Sequence, residues 1–337
     1  MKSIIACVLV LLGAVALMLF YCSSMPGQSP PTSTTPLTEE EKEVSQILKD
    51  QCEEIAHKIG QRSTAKMSGV DRCRDYIVQR LARSSLRPKD MPFSSRGDQG
   101  NNLVVEMEGM GAKDEVLVVG AHYDTAAYTP GGDDNASGVS MLLELGRLLS
   151  SRSHDRTIDL VFFDRGSTRF SGSDDSGSYA FASEAKKANR KIAAMISLDS
   201  IGMYLDEPGS QHGAFPLSLC YPDQGNFVLF ASDFGSRQLV QTCVQNFRVQ
   251  GGMPCEGVTL PSFLPWLAHS DHHPFRTNDW PSLIVTDTGP LRNTEVGQMT
   301  DTFDRLNFDR MALVTLRLIK VIERLSQKSS PGTGVIN

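Results

Sequence analysis

His122 and Asp124 stand two residues apart at the end of an apolar run, Val116, Leu117, Val118 and Val119. Asp134 follows ten residues after Asp124, inside the turn-rich stretch GGDDN. Imidazole nitrogen and carboxylate oxygen are donors that Zn²⁺ accepts. The run is unbroken in β-branched and leucine residues and ends near glycine, which predicts a buried parallel strand. Donors at the carboxyl end of such a strand, facing a glycine-rich turn and a helix start, sit where open α/β sheets place their sites. These residues make half of a metal site, and the other half must come from neighbouring strand ends.

The elements that would position them alternate. Strands are predicted at 103–107, 116–121, 158–163, 193–198 and 283–286, and helices at 136–149, 179–188, 237–247 and 308–325. Such alternation predicts an α/β fold: a three-layer single domain with a mostly parallel mixed central sheet flanked by helices. Two helices precede it. Thr38 and Glu41 form a capping box, Ile47, Leu48, Cys52 and Ile55 recur at helical spacing, and a second helix spans 71–82.

At 337 residues, 40% hydrophobic and 21% charged, the chain suits one large domain with a small appendage. A net charge of −6 leaves no basic footprint for nucleic acid. The seven cysteines contain no C-x-x-C pair, which excludes a cysteine zinc ribbon. Cys52 and Cys73 would bridge the two leading helices in an oxidising compartment if they paired, and spacing leaves that open.

Residues 4–21 are an uncharged apolar run of eighteen, preceded only by Lys2 and the amino terminus. The expectation for 1–25 is a signal anchor, with a cleaved signal peptide and a secreted product as the alternative. Lys2 precedes the run and Lys42 is the next basic residue, so the positive-inside rule puts the bulk of the chain outside the cytoplasm, in a bacterium the periplasm. Residues 26–37 are rich in Pro, Ser and Thr and read as a linker; 38–327 form the domain, and 328–337 a disordered tail.

Five ordered stretches, GAHYDT, DDNASG, MISLDSIG, SDHHPF and VTDTGPLRN with DTFDRLNFDRM, make the chain resemble the two-metal zinc aminopeptidases of metallopeptidase family 28 from about Thr38 to the last helix. The resemblance implies His122 as a metal ligand, Asp124 as the carboxylate that orients it, Asp134 as the bridging carboxylate and Asp199 as a further ligand. It places Asp271 and His272, in SDHHPF, on the cleft wall. His269, His272 and His273 share that loop and are read as cleft-wall or surface groups rather than ligands.

The same family needs a Glu-Glu pair after the strand at 158–163, one as general base and one as ligand, and a second His before DTFD. Here Gly166 and Ser167 occupy the pair's positions (Ser171 and Gly172 on a count back from Gly177), and Gly297 occupies that of the His. The last histidine in the chain is His273. No general base is identified. Asp164, Asp174 and Asp175 are the only nearby carboxylates, and each reads better as a capping or solvated group. The resemblance thus leaves room for one Zn²⁺ and not two, and predicts a pseudopeptidase with a peptide or protein ligand in its cleft. The alternatives are an active aminopeptidase with a rearranged site using a carboxylate such as Asp174, and a glutaminyl cyclase-like acyl transferase.

Overall fold

The computed structural model describes residues 1–95, 98–167, 173–213, 215–264 and 270–327. Ser171, Gly172, His269 and the tail 328–337 lie outside them. In chain order the elements are α1 (Lys2–Ser23), α2 (Glu39–Cys52), α3 (Met67–Arg83), β1 (Lys89–Ser95), β2 (Asp98–Met107), β3 (Glu115–His122) and α4 (Gly138–Leu149). There follow β4 (Thr157–Phe163), α5 (Gly177–Lys187), β5 (Lys191–Leu198), β6 (Val228–Asp233), α6 (Arg237–Arg248), β7 (Cys255–Leu260), α7 (His273–Arg276), β8 (Ser282–Thr286) and α8 (Phe308–Ser326).

The strands form one sheet in the order β1-β2-β4-β3-β5-β8-β6-β7. β4, β3, β5 and β8 run parallel, as do β6 and β7, while β1, β2 and the β6–β8 pair are antiparallel. Alternation along β3 explains the layers. Leu117, Val119 and Ala121 join the core under α2, α3, α4, α6 and α8, whereas Val116 and Val118 pack on the opposite face with Phe181 and Phe275. Helices therefore cover both faces, as the sequence pattern implied. The parallel registry His122↔Phe163 and Gly120↔Ser197 brings the carboxyl ends of β3, β4 and β5 level.

β1, β6 and β7 were not among the predicted strands. β1 contains Pro92, which a sheet tolerates at an edge. The Thr38 capping box forms, with the Glu41 N–H donating to Thr38 Oγ1 at 3.2 Å and the Thr38 N–H to Glu41 Oε2 at 2.8 Å. Cys52 and Cys73 are buried thiols, and Cys52 donates to Ser140 Oγ at 3.2 Å.

The linker is fastened along its length. Arg248 Nη1 donates to the carbonyls of Pro26 and Gly27, the Cys255 N–H to Ser29 Oγ, the Ser33 N–H to the Gly252 carbonyl, and Arg310 Nη1 to Thr32 Oγ1.

Asn102, buried on β2, fixes the chain leaving β4: its Oδ1 accepts the Asp164 N–H at 3.0 Å and its Nδ2 donates to the Gly177 carbonyl at 2.8 Å. Asn102→Ala strands a buried donor and a buried acceptor, so it is expected to lower stability by roughly 2–4 kcal/mol. Chemical unfolding of the detergent-solubilised chain checks this, and an unchanged midpoint would show that the loop is held elsewhere.

Candidate metal centre

Each donor comes from a different strand end or loop. His122 is the last residue of β3, Asp134 sits in the loop before α4, and Asp199 follows β5. His122 Nε2 lies 3.1 Å from Asp134 Oδ1 and 3.7 Å from Asp199 Oδ1. Ligands of a tetrahedral zinc with bonds of about 2.0–2.2 Å are separated by about 3.3–3.6 Å, so the triad has the right donors close to the right spacing for one ion. Among the described residues this is the only cluster of three such donors.

His122 is held from behind. Its Nδ1 lies 3.1 Å from the Asp124 carbonyl and 3.3 Å from Asp124 Oδ1, so both the backbone and the carboxylate of Asp124 orient the ring. Burial opposes a charge on His122, yet hydrogen bonds donated to Asp124, Asp134 and Asp199 raise its pKa well above the usual histidine value. A metal ion would enter by displacing that proton.

The GGDDN loop is pinned from several directions. Asp301 accepts the Asp133 N–H on Oδ1 at 2.8 Å and the Asp134 N–H on Oδ2 at 3.2 Å. Asn135 Nδ2 donates to the Leu198 carbonyl at 2.8 Å, tying the loop to the end of β5. Asp133 accepts from the Gly202 N–H and from Asn293 Nδ2, each at 2.9 Å, and burial raises the pKa of both Asp133 and its neighbour Asp287.

Arg62, fully buried, was not singled out from the sequence. Its guanidinium donates to the carbonyls of Tyr123 (2.8 Å), Gly60 (3.0 Å), Pro130 (2.7 Å) and Gly131 (3.1 Å), clamping the His122–Asp124 turn to the glycine loop. Burial lowers its pKa, and Asp124, Asp301 and Asp134 are among the groups opposing that shift. It is an isolated arginine in a polar stretch, and the carbonyls of Tyr123, Pro130 and Gly131 that it clamps are more than sixty residues away, so no spacing rule would find it.

Gly166 and Ser167 lie against this site, and Gly297 does not crowd it. Asp124 Oδ1 accepts the Gly166 N–H at 2.6 Å, and Oδ2 accepts the Ser167 N–H at 3.2 Å. The chain reaches them through Arg165 at φ +57°. It then passes so close to β3 that a Cβ on Gly166 would stand 2.2 Å from His122 Cβ. At Gly297, φ is +77° and a Cβ would meet nothing within 4 Å.

The other carboxylates named from the sequence are elsewhere. Asp164 accepts the Asn101 N–H at 3.0 Å, Asp174 is exposed and Asp175 half-buried, and none joins the triad. Asp271 and His272 are both buried. Asp271 bonds Ser178 and feels the charges of His122, Asp199 and Asp124, and its Oδ2 has no hydrogen-bond partner. Burial first, then Asp199 and Asp124, push its pKa up to about 7. Neither ring nitrogen of His272 is partnered; burial, with Arg276 and His273, drives its pKa down to about 3 and keeps it neutral.

Residues 102–322 match the sequence profile of peptidase family M28. The protein YfbL of Escherichia coli K12, itself uncharacterised, is 32% identical over 270 residues, covering 77% of this chain and 82% of YfbL. The fold is similar to BSAP, a zinc aminopeptidase from Bacillus subtilis (TM-score 0.67, 13% identity, 84% of this chain and 95% of that one). It is also similar to the LapA aminopeptidase of Legionella pneumophila (TM-score 0.63, 18% identity, 89% of this chain and 79% of that one).

Two outcomes follow from this geometry. Gly166→Ala forces a Cβ into the His122 side chain and is expected to cost about 1–3 kcal/mol or more, with a larger loss for Gly166→Glu. Gly297→His meets only the left-handed backbone, at about 1–2 kcal/mol. Thermal unfolding of the variants tests the order, and equal losses would contradict the close packing at Gly166.

Asp271 carries a pH signature. Its folded pKa is raised to about 7 from an unfolded 3.8, so its contribution to stability is complete below about pH 4 and lost as pH rises through 7. Asp271→Asn should therefore gain stability relative to wild type between pH 4 and 7, by up to about 1.4 kcal/mol per pH unit, and hold that gain above. Parallel pH–stability curves for the two proteins would rule this out.

Proposed function

The chain belongs to peptidase family M28, and from that premise we propose that it is a pseudopeptidase, anchored by α1 with its domain outside the cytoplasm, whose three-ligand site holds one Zn²⁺ and whose cleft binds a peptide or protein. The observation that carries the reading is Gly166. On the count forward from β4 the family positions for base and ligand fall on Gly166 and Ser167, and the His122 side chain fills the space a side chain at 166 would need. Loss of a general base alone lowers a rate on the order of 10²–10⁴-fold. The missing His, at Gly297, removes a ligand of a second metal as well.

His122, Asp134 and Asp199 would hold the one ion, and a bound ion would supply Lewis acidity at the strand ends. Lys2 before the apolar helix and the absence of Lys or Arg from there to Lys42 support the orientation.

A second reading, an active enzyme with a rearranged site, is favoured by one observation. Asp271 is a buried carboxyl with an unpartnered oxygen, electrostatically coupled to His122 and Asp199. It is a better substitute base than Asp174, which is exposed.

Metal content by mass spectrometry, measured with aminoacyl-nitroanilide hydrolysis on the same full-length preparation, separates the readings. The pseudopeptidase should carry about one zinc per chain and show no chelator-sensitive turnover. Chelator-sensitive hydrolysis at aminopeptidase rates that Asp271→Asn abolishes would replace it with the second reading.

A further inference from the structure

The foot of α1 is built into the domain. Tyr21 stacks under Arg237 (4.1 Å from guanidinium carbon to ring centre) and edge-on to Phe234, and Arg237 Nη2 donates to the Ser24 carbonyl at 2.9 Å. Cys22 is buried with Phe227, Leu229, Val258 and Leu260. With the linker bound to Arg248, Cys255, Gly252 and Arg310, the domain is held against the end of the helix by several independent contacts.

Between helix and domain lies an apolar groove of about 830 Å³. Val15, Met18 and Leu19 form one wall, and Leu217, Leu229 and Leu264 are among the residues of the other. At and beside its lining, three large apolar side chains stand in the open: Phe215 at 80% exposure, Leu219 at 72% and Phe263 at 79%. Large apolar groups gathered in one place on a surface mark a contact site.

Depth identifies the partner. The uncharged run of α1 is about 27 Å long at 1.5 Å per residue, close to the roughly 30 Å of a bilayer's hydrocarbon core. The groove runs down the helix as far as Ala14, about 12 Å below Cys22. With α1 across a bilayer, that stretch lies in hydrocarbon, where lipid chains and not water are the solvent.

We propose that the loops at 215–219 and 261–264 enter the leaflet nearest the domain and that a phospholipid acyl chain occupies the groove, giving the protein a second membrane contact beside its helix. The proposal rests on the reading that α1 stays on the chain and spans the membrane. It adds a fixed orientation: the domain sits down on the bilayer rather than swinging above it.

The test uses the full chain in phosphatidylcholine nanodiscs doped with phosphatidylcholine carrying a mid-chain diazirine. Intact mass establishes that α1 is present, and photolysis with peptide mapping locates the adducts. The expected result is adducts on α1 and also on peptides containing 215–221 and 261–264. Adducts on α1 alone overturn the proposal and leave the anchoring intact. An unlabelled α1 overturns the anchoring reading, and the proposal with it. In the double variant Phe215→Asp, Leu219→Asp, both changes are on exposed side chains. Loop adducts should fall at least roughly tenfold while α1 adducts persist, given the cost of placing carboxylates in hydrocarbon. Undiminished loop labelling in that variant would also overturn the proposal.

Discussion

The carboxylate of Asp124 is the interaction on which the site depends. It faces His122 Nδ1 on one side and accepts the Gly166 and Ser167 amides on the other, so one buried group joins the ends of β3 and β4. Asp134, Asp199, Asp271 and Asp301 crowd the same end of the sheet, with Arg62 as the fully buried cation among them. Burying so many carboxyls is unfavourable unless protons or cations balance them. The fold meets this in three ways. Arg62 contributes a fixed charge, Asp271 and Asp301 are pushed up to about 7, and His122 holds a proton that a metal ion can displace.

The strands that carry this chemistry were legible in the sequence because burial on both faces writes them as continuous apolar runs. β3, β4 and β5 are runs of that kind, and their ends deliver His122, Asp164 and Asp199. β1 and β7 were not legible, since an edge strand with Pro92 or a six-residue strand with Glu256 and Gly257 lacks that signature. β6 is apolar enough, but it follows a loop-rich stretch without chemistry to draw notice. Asp134 and Asp199 were found through motifs. Arg62 and Asn102 escaped, because each bonds backbone groups more than sixty residues away and leaves no local periodicity.

Composition also says less about docking than about self-structure. The Pro, Ser and Thr of residues 26–37 cannot build a core, and they do not. What the composition could not show is that arginines on α6 and α8 would bind that segment's carbonyls and hydroxyls. A segment without its own fold can still be rigid when its hydrogen bonds go to a folded neighbour. Here the consequence is geometric, because the same segment joins the apolar helix to the domain.

Gly166 and Gly297 sit in different surroundings. At Gly297 the backbone is left-handed, but the space around a Cβ is open. At Gly166 the constraint is close packing against the His122 side chain. With no side chain to accommodate, the turn after β4 closes on His122, and Asp124 secures it through two amides. Such packing is self-reinforcing, since the hydrogen bonds that stabilise the closed turn also hold His122 in place for the remaining ligands. A side chain at 166 would have to displace the His122 side chain before it could contribute any chemistry. A side chain at 166 is therefore opposed by the packing of the turn, and the same packing keeps His122 beside Asp134 and Asp199.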